Sequence, residues 1–188
     1  MPRPDLKPIN LGPGPRDHGP SFITRAGKAR LQAEHDRLFA VDRPRAVDAV
    51  AEAAAHGDRS ENAEYTYGKK KLREIDRRLQ FLANRLGRVQ VIDPATQPRN
   101  RVGFGATVVI EDEDDGAEKT WVLLGEDEVD VPRRRISHKS PVGKALWDKK
   151  VGDGVVVHTP GGIRHYELVE IRYEPITEEP VDGSEGPY

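Results

Sequence analysis

The sequence has no cysteine among its 188 residues, and this absence excludes several kinds of chemistry. Without a thiol the chain has no disulfide, no cysteine nucleophile and no cysteine-ligated zinc site. It also lacks any run of about 20 apolar residues, the length that a membrane-spanning helix requires. The first 20 residues are rich in proline and glycine and have no apolar stretch, so they do not form a signal peptide. We therefore expect a cytoplasmic protein that does not bind a membrane.

Neither sign of charge dominates the sequence. Charged residues make up 33% of it and hydrophobic residues 36%, with a formal net charge of −2 at pH 7. This composition predicts a soluble chain with modest hydrophobic cores rather than one large core. Because the total charge indicates no particular partner, the distribution of charge along the chain is more informative.

The composition changes along the chain and divides it into five segments. Proline and glycine predict disorder in a leader, residues 1–20, and together with acidic residues they predict it in a tail, residues 175–188. Residues 21–92 have helical periodicity, residues 93–101 form a proline-containing linker, and residues 102–174 contain short strand-like runs. The predicted fold class is α+β: an antiparallel two-helix hairpin without strands, then an antiparallel sheet domain with one short helix.

The first helical segment carries clear start and interruption signals. Thr24 is a good N-cap residue for a first helix that carries Leu31, Leu38 and Phe39. Pro44 falls inside the same periodic pattern. Because proline lacks an N–H and disturbs the preceding turn, the helix should kink or restart near Asp42.

The second helical segment has the clearest periodicity in the sequence. Its apolar residues recur on an a/d heptad frame that only Gly68 interrupts. The frame consists of Tyr65, Leu72, Ile75, Leu79, Leu82, Leu86 and Val89. Two long helices joined by a short turn run antiparallel, and about 30 residues in each give a rod of roughly 45 Å. A rod that buries so narrow a seam is expected to reach a distant partner. The turn at Gly57 favours an intramolecular hairpin and therefore a monomer.

The turn between the helices contains two acidic residues three positions apart, Asp58 and Glu61. This spacing is typical of a capping box, in which the acids only stabilise the start of a helix. The same spacing places both carboxylates on one face, where they suit a hard cation such as Mg²⁺. Two carboxylates fill only part of an octahedral shell, so a partner would have to supply the remaining ligands. The spacing alone leaves both interpretations open.

Basic residues outnumber acidic ones along the second helix. Lys70, Arg73 and Arg77 belong to a set of lysines and arginines between residues 69 and 88. The only acidic residues in this segment are Glu74 and Asp76. Such a run is often no more than a solvated face. Alternatively, it follows the phosphates of a nucleic acid strand and leads toward the turn that contains Asp58 and Glu61.

The turn and the helix after it resemble the Gre family of transcript-cleavage factors, most closely its B-type branch. The matching runs are Gly57-Asp58-Arg59-Ser60-Glu61-Asn62-Ala63-Glu64-Tyr65, Gly68-Lys69-Lys70 and Leu72-Arg73-Glu74-Ile75-Asp76-Arg77-Arg78. Shorter matches are Arg43-Pro44, Gly125-Glu126-Asp127-Glu128, Ile136-Ser137, Ser140-Pro141 and Thr159-Pro160-Gly161-Gly162. The resemblance covers about residues 21–173 and does not include the leader.

The resemblance implies an FKBP-like fold for the sheet domain. It further implies that this domain docks on the rim of the secondary channel of bacterial RNA polymerase while the hairpin enters the channel. The regions expected to contact polymerase contain Asp127 and Glu128 in one segment and Ser140 and Pro141 in another.

By motif, Asp58 and Glu61 take the places of the family's two catalytic acids. The hypothesis is that they complete the shell of a second Mg²⁺ held jointly with polymerase, while Lys70, Arg73 and Arg77 bind the 3′ end of the nascent RNA. The chain alone would then bind no cofactor and hydrolyse nothing. It would instead stimulate the polymerase's own cleavage of backtracked RNA.

Three other functions remain open on the sequence. A factor of the same architecture could plug the channel and inhibit polymerase without cleavage. An FKBP-like prolyl isomerase or chaperone would need an aromatic-lined pocket, although the aromatic residues of the sheet domain are more simply explained as core. These residues are Phe104, Trp121, Trp147, Tyr166 and Tyr173. A coiled-coil dimerisation module is the third alternative.

Overall fold

The computed structural model of the chain describes residues 21–55, 63–159 and 161–176. Within these ranges a helical hairpin is followed by a five-stranded sheet, which confirms the predicted fold class. The leader, the turn that contains Asp58 and Glu61, and residues 177–188 of the tail lie outside the described residues. None of the helices in the described ranges is long and apolar enough to cross a membrane.

The first arm of the hairpin is a helix whose pitch changes in the middle. Helix α1 (Arg25–Arg37) is capped by Thr24, as the sequence predicts: the Thr24 side chain accepts a hydrogen bond from the Gly27 N–H. A π-helical turn (Leu38–Asp42) then leads into helix α2 (Arg43–Ala55). The arm therefore continues through its proline.

The π-helical turn lies where Pro44 was expected to disturb the helix. In a regular α-helix Pro44 would leave one carbonyl without a donor, and its ring would clash with that carbonyl. The wider turn, in which the Arg43 N–H donates to the Leu38 carbonyl, accommodates this conflict. The predicted irregularity near Asp42 is confirmed. Phe39 lies in this π-helical turn and is 63% exposed.

The second arm is helix α3 (Ala63–Leu86), which packs against α1 and α2 along the predicted heptad frame. Ile75 and Leu82 are buried, and the other frame residues are half-buried. Gly68 faces the side chain of Val50, and a Cβ at this position would come within 2.8 Å of it. Close approach of the two arms thus explains the one interruption of the frame.

A two-stranded parallel sheet joins the two ends of the hairpin. Strand β1 (Ser21–Ile23) pairs with strand β2 (Val89–Val91), in the register Ser21↔Val89 to Ile23↔Val91. The prediction that residues 21–92 lack strands is therefore wrong. Beneath this sheet Ile23, Leu31 and Leu82 form a small buried core, which stabilises the hairpin at its base.

The C-terminal domain is a curled five-stranded sheet. Its spatial order is β5-β4-β3-β7-β6, and the neighbouring strands are antiparallel except for the parallel pair β4–β5. The expectation of a purely antiparallel sheet is wrong at this edge, because the chain crosses over between β4 and β5. The strands are β3 (Thr107–Asp112), β4 (Glu118–Leu124), β5 (Arg135–Ser137), β6 (Gly154–Thr159) and β7 (Gly162–Arg172).

A short helix, α4 (Pro141–Leu146), covers the concave side of this sheet. Leu146 packs with the inward-facing residues of the strands, among them Val108, Leu123 and Leu168, all of which are fully buried. The sheet domain therefore has its own core, separate from the core at the base of the hairpin.

Candidate nucleic-acid interface and domain joint

The acidic pair predicted to hold a metal, Asp58 and Glu61, lies outside the described residues. The described helices end at Ala55 and resume at Ala63, and both helices belong to one packed hairpin. Among the described residues no group of three or more His, Asp or Glu side chains could hold a metal ion. The role of the pair therefore stays a prediction.

The three basic residues predicted to bind RNA lie together on α3. Lys70, Arg73 and Arg77 are separated by three and four residues, so they share one face of the helix. All three side chains are exposed and point away from the packed seam. Within the described ranges none of the three has an acidic partner. We call Lys70, Arg73 and Arg77 the basic row.

Other basic residues of α3 are engaged in ion pairs inside the chain. Arg78 forms a bidentate pair with Glu34 of α1, with N–O distances of 2.7 and 2.8 Å. The hydrogen bond from Arg78 lowers the pKa of Glu34 below its ordinary value, and the same bond raises the pKa of Arg78. Arg78 therefore helps to hold the two arms together, whereas the basic row is exposed.

Two aromatic side chains extend the basic row at its ends. Tyr67 precedes Lys70 by three residues and is 68% exposed, and Phe81 follows Arg77 by four residues and is 46% exposed. The guanidinium of Arg78 lies 5.1 Å from the centre of the Phe81 ring. A row of cations with an exposed ring at each end combines the two side-chain types that bind single-stranded nucleic acid.

The other predicted contact residues lie in the sheet domain, at the start of α4. The Ser140 hydroxyl accepts a hydrogen bond from the Gly143 N–H at 3.0 Å, so Ser140 caps the helix. Pro141 occupies the first helical position and is exposed. These two residues form a rigid part of the surface, and their contact with a partner stays a prediction.

Asp127 and Glu128 lie in a short 3₁₀ turn (Glu126–Glu128), which we call the acidic turn. The Glu128 carboxylate is buried and accepts hydrogen bonds from the N–H and the hydroxyl of Thr24. The Asp127 carboxylate accepts a hydrogen bond from Arg85 Nε at 2.6 Å, and its side chain is only 10% exposed. The structure therefore gives both residues internal partners, and contact with polymerase at these positions stays a prediction.

Glu126 completes the charge pattern of the acidic turn. Its carboxylate accepts hydrogen bonds from Arg85 at 2.7 Å, Ser21 at 3.2 Å and Lys139 at 3.3 Å. Burial by itself raises the pKa of Glu126, but Arg85 and Lys139 outweigh burial and the net pKa is lowered. Glu126 is therefore held in its charged form.

A cluster of rings packs beside the acidic turn. Phe22 of β1 stacks on His138 at a centroid distance of 5.3 Å and lies edge-on to Phe104 at 6.0 Å. Trp147 covers the same cluster, 5.5 Å from His138. We call these ring contacts and the hydrogen bonds of the acidic turn the domain joint, because they connect the hairpin to the sheet domain.

Two family models together match both parts of the chain. The model described as "Transcription elongation factor, N-terminal" matches residues 21–91, and the model described as "Transcription elongation factor, GreA/GreB, C-term" matches residues 97–173. The chain belongs to the GreA/GreB family. It is a Gre transcription elongation factor of the GreB-like kind.

Two relatives found by sequence support this membership of the Gre family. A transcription elongation factor GreB from Pseudomonas aeruginosa is 48% identical over 161 residues, which are 86% of this chain and 95% of the relative. A GreA from Alkalilimnicola ehrlichii is 45% identical over 152 residues, which are 80% of this chain and 96% of the relative. The crystal structure of GreA factor homolog 1 from Thermus thermophilus superposes with a TM-score of 0.40 at 26% identity, covering 82% of this chain and 99% of that one.

The basic row of this Gre factor is visible in its sequence, whereas the domain joint is not. The residues of the joint are far apart in the chain, because Thr24 and Glu128 are separated by 104 positions. One local signal was available: Gly27 lies in the first turns of a helix, where glycine is unfavourable without a packing reason. The exposed rings of Tyr67 and Phe81 were also visible as aromatic residues outside the heptad frame.

Proposed function

We propose that this Gre factor stimulates the cleavage of backtracked nascent RNA by bacterial RNA polymerase. The sheet domain binds at the rim of the polymerase secondary channel, and the hairpin enters the channel as part of a monomer. The supporting observation is the basic row of Lys70, Arg73 and Arg77, which is exposed on the solvent face of α3 and has no acidic partner among the described residues. Helix α3 follows the turn whose sequence contains Asp58 and Glu61. A strand of RNA beside this row is led toward Asp58 and Glu61.

The basic row and its flanking rings suit a single strand of RNA. From Tyr67 to Phe81 the face is about 20 Å long, because each residue of a helix adds 1.5 Å. The cations attract phosphates, and the rings of Tyr67 and Phe81 offer stacking surfaces for bases, each worth about 1–3 kcal/mol. The backtracked 3′ segment of the transcript fits this chemistry because its bases are unpaired.

Asp58 and Glu61 supply the chemistry of cleavage through hard oxygen donors. Two carboxylates suit Mg²⁺ but cannot complete its octahedral shell, so they act only where polymerase supplies the other ligands. In this proposal the second Mg²⁺, once bound, helps to activate water for attack on the phosphodiester. Either carboxylate is also able to orient that water by accepting its hydrogen bond. The isolated factor is not an enzyme and needs no cofactor of its own.

The aromatic residues of the sheet domain disfavour an isomerase. Phe104 and Trp147 pack in the domain joint, Tyr166 belongs to the core, and Trp121 packs against that core. The Tyr173 hydroxyl accepts a hydrogen bond from the Gly103 N–H and donates one to the Arg101 carbonyl. Trp121 also lines a surface cavity, but its neighbours there are the polar or charged residues Glu118, Lys119, Thr120 and Arg134. An isomerase would instead need several aromatic rings around an apolar substrate pocket.

The direct test replaces Asp58→Asn and Glu61→Gln and measures RNA cleavage in stalled, backtracked transcription complexes. We expect the rate to fall by at least 100-fold while binding to polymerase is unchanged, because only the charged donors are removed. Glu64→Gln is the matched control, since Glu64 lies at the start of α3 but outside the acidic pair. Cleavage at the parent rate by the double variant would refute the proposal.

A further inference from the structure

The Glu128 carboxylate crosses the boundary between the two domains. From the acidic turn of the sheet domain it accepts hydrogen bonds from the Thr24 N–H at 3.0 Å and from the Thr24 hydroxyl. The same hydroxyl accepts a hydrogen bond from the Gly27 N–H at 2.9 Å. Glu128 is only 4% exposed, so these bonds are shielded from water. A negative charge at this point also suits the positive end of helix α1.

Two glycines provide the space for this contact. A Cβ on Gly27 would lie 2.4 Å from one Glu128 carboxylate oxygen and 2.7 Å from the carboxylate carbon. A Cβ on Gly125 would lie 2.1 Å from the Phe22 carbonyl oxygen. Real Cβ atoms essentially never come this close to another atom. A side chain at Gly125 would therefore push against the backbone of β1, and one at Gly27 would displace the Glu128 carboxylate.

The acidic turn also holds the second arm of the hairpin. Arg85, in the last turn of α3, donates to Asp127 at 2.6 Å and to Glu126 at 2.7 Å. Arg30 of α1 donates to the Asp127 carbonyl at 2.8 Å. One turn of three residues therefore binds both arms at their base. It does so through charge-assisted hydrogen bonds, which are stronger than neutral ones and restrict the geometry of the contact.

We propose that the acidic turn fixes the direction in which the hairpin leaves the sheet domain, and that Glu128 is the positioning residue of this joint. The inference rests on the proposed function in one respect: the fixed direction matters because the far end of the hairpin must meet the polymerase active site. The orientation of the sheet domain and the position of the far end of the hairpin thus depend on one buried carboxylate.

The length of the hairpin makes this coupling stringent. Helix α3 has 24 residues, which at 1.5 Å each gives a lever of about 36 Å. A rotation of about 10° at the joint therefore moves the far end of the helix by about 6 Å. Because a misplacement of about 1 Å already costs roughly 100-fold in a positioned reaction, a loose joint abolishes cleavage without abolishing binding.

The orientation itself is measurable in the free protein, because the chain has no cysteine that would compete for spin labels. Labels attached through Ala51→Cys in α2 and Glu167→Cys in β7, both exposed positions, report the distance between hairpin and sheet domain by pulsed electron paramagnetic resonance. We expect one narrow distance distribution for this labelled parent. Adding Glu128→Ala should broaden it or shift it by several ångströms, and an unchanged distribution would overturn the proposal.

Three further variants separate positioning from folding. Gly27→Ala displaces the carboxylate without removing it and should broaden the distribution in the same way. Thr24→Val removes the hydroxyl that bonds to Glu128 and should act likewise, whereas Thr24→Ser restores the hydroxyl and should restore the narrow distribution. If the distance distribution of Thr24→Ser were as broad as that of Thr24→Val, loss of the hydrogen bond to Glu128 would not be the cause of the broadening.

Cleavage assays then test the consequence for function. We expect Glu128→Ala to lower the maximal rate of stimulated cleavage at least 10-fold, with the factor concentration for half-maximal stimulation changed less than twofold. Glu113→Ala, an exposed acidic residue outside the joint, is the matched control. A broadened distribution with full cleavage would overturn the positioning role. Failure of the parent to stimulate cleavage would refute the proposed function and leave the distance measurement to decide the joint.

Discussion

Gly27 shows how a single missing side chain serves a distant contact. Alanine is favoured over glycine by up to about 1 kcal/mol in a helix, so Gly27→Ala would stabilise α1 in isolation. In the folded chain the added Cβ meets the Glu128 carboxylate and breaks hydrogen bonds worth about 1.5–3 kcal/mol. We therefore expect a net loss of about 1 kcal/mol, measured by urea unfolding.

Gly87→Ala is the matched control for this prediction, because a Cβ there meets neighbouring atoms only at 3.5 Å or more. We expect no loss of stability from this control. If Gly27→Ala proved as stable as the parent, the space beside Gly27 would not be needed by the carboxylate.

The residues of the basic row have a quantitative signature in salt dependence. For single-stranded nucleic acid, each phosphate contact contributes about −0.7 to the slope of log affinity against log salt. The triple variant Lys70→Gln, Arg73→Gln and Arg77→Gln should therefore reduce the slope for binding of the extruded RNA by about 2. The measurement is crosslinking of backtracked RNA to the factor at several salt concentrations.

Lys71→Gln provides the control for the basic row, since Lys71 is exposed on another face of the same helix. We expect it to leave the salt slope nearly unchanged. If Lys71→Gln and the triple variant changed the salt slope equally for each charge removed, that result would show that α3 attracts RNA only through its total charge.

At the scale of elements, the two arms of the hairpin are tied by the pair of Glu34 and Arg78. The hydrogen bond from Arg78 lowers the pKa of Glu34, so this carboxyl contributes stability above its ordinary pKa of 4.5. That contribution disappears as the pH falls through the lowered pKa of the folded state. Because both side chains are partly exposed, solvent screening limits it to less than about 1 kcal/mol.

We therefore expect Glu34→Gln to destabilise the chain slightly at pH 6–8 and to match the parent at strongly acidic pH. Urea unfolding of the two proteins across this pH range measures the difference. A difference that grew as the pH fell below 4.5 would have the wrong sign for this ion pair.

The elements differ in how well the sequence predicts them. The heptad frame predicts α3 and its seam because each buried position, such as Ile75 or Leu82, repeats a local period. Strands β1 and β2 have three residues each and pair across 68 positions, so no local period marks them. The parallel edge of the large sheet escaped prediction for the same reason, because its strand β5 is only three residues long.

The same contrast applies to the candidate site. The basic row is visible in the sequence because Lys70, Arg73 and Arg77 lie within two turns of one helix. The partners that remove Arg78 and Arg85 from this charge run are in other elements, so periodicity does not separate them from the exposed cations. The sequence therefore identifies α3 as a helix rich in basic residues, and only the fold shows which of these residues are exposed.

At the scale of the whole molecule, two separate cores are joined through the acidic turn and the rings beside it. We expect the parent to unfold in one calorimetric transition, because the joint couples the small core of the hairpin to the larger core of the sheet. Glu128→Ala should split this transition into two, with the hairpin unfolding first. Two transitions already present in the parent would contradict this coupling.

The parallel pair β1–β2 has a practical consequence for protein engineering. It brings the incoming and outgoing chain of the hairpin side by side, about 5 Å apart, as neighbouring strands are. An element whose two ends meet at one point can be transplanted as a cassette into a surface loop of an unrelated scaffold. Such a graft would present the tip sequence to polymerase on a base of chosen geometry.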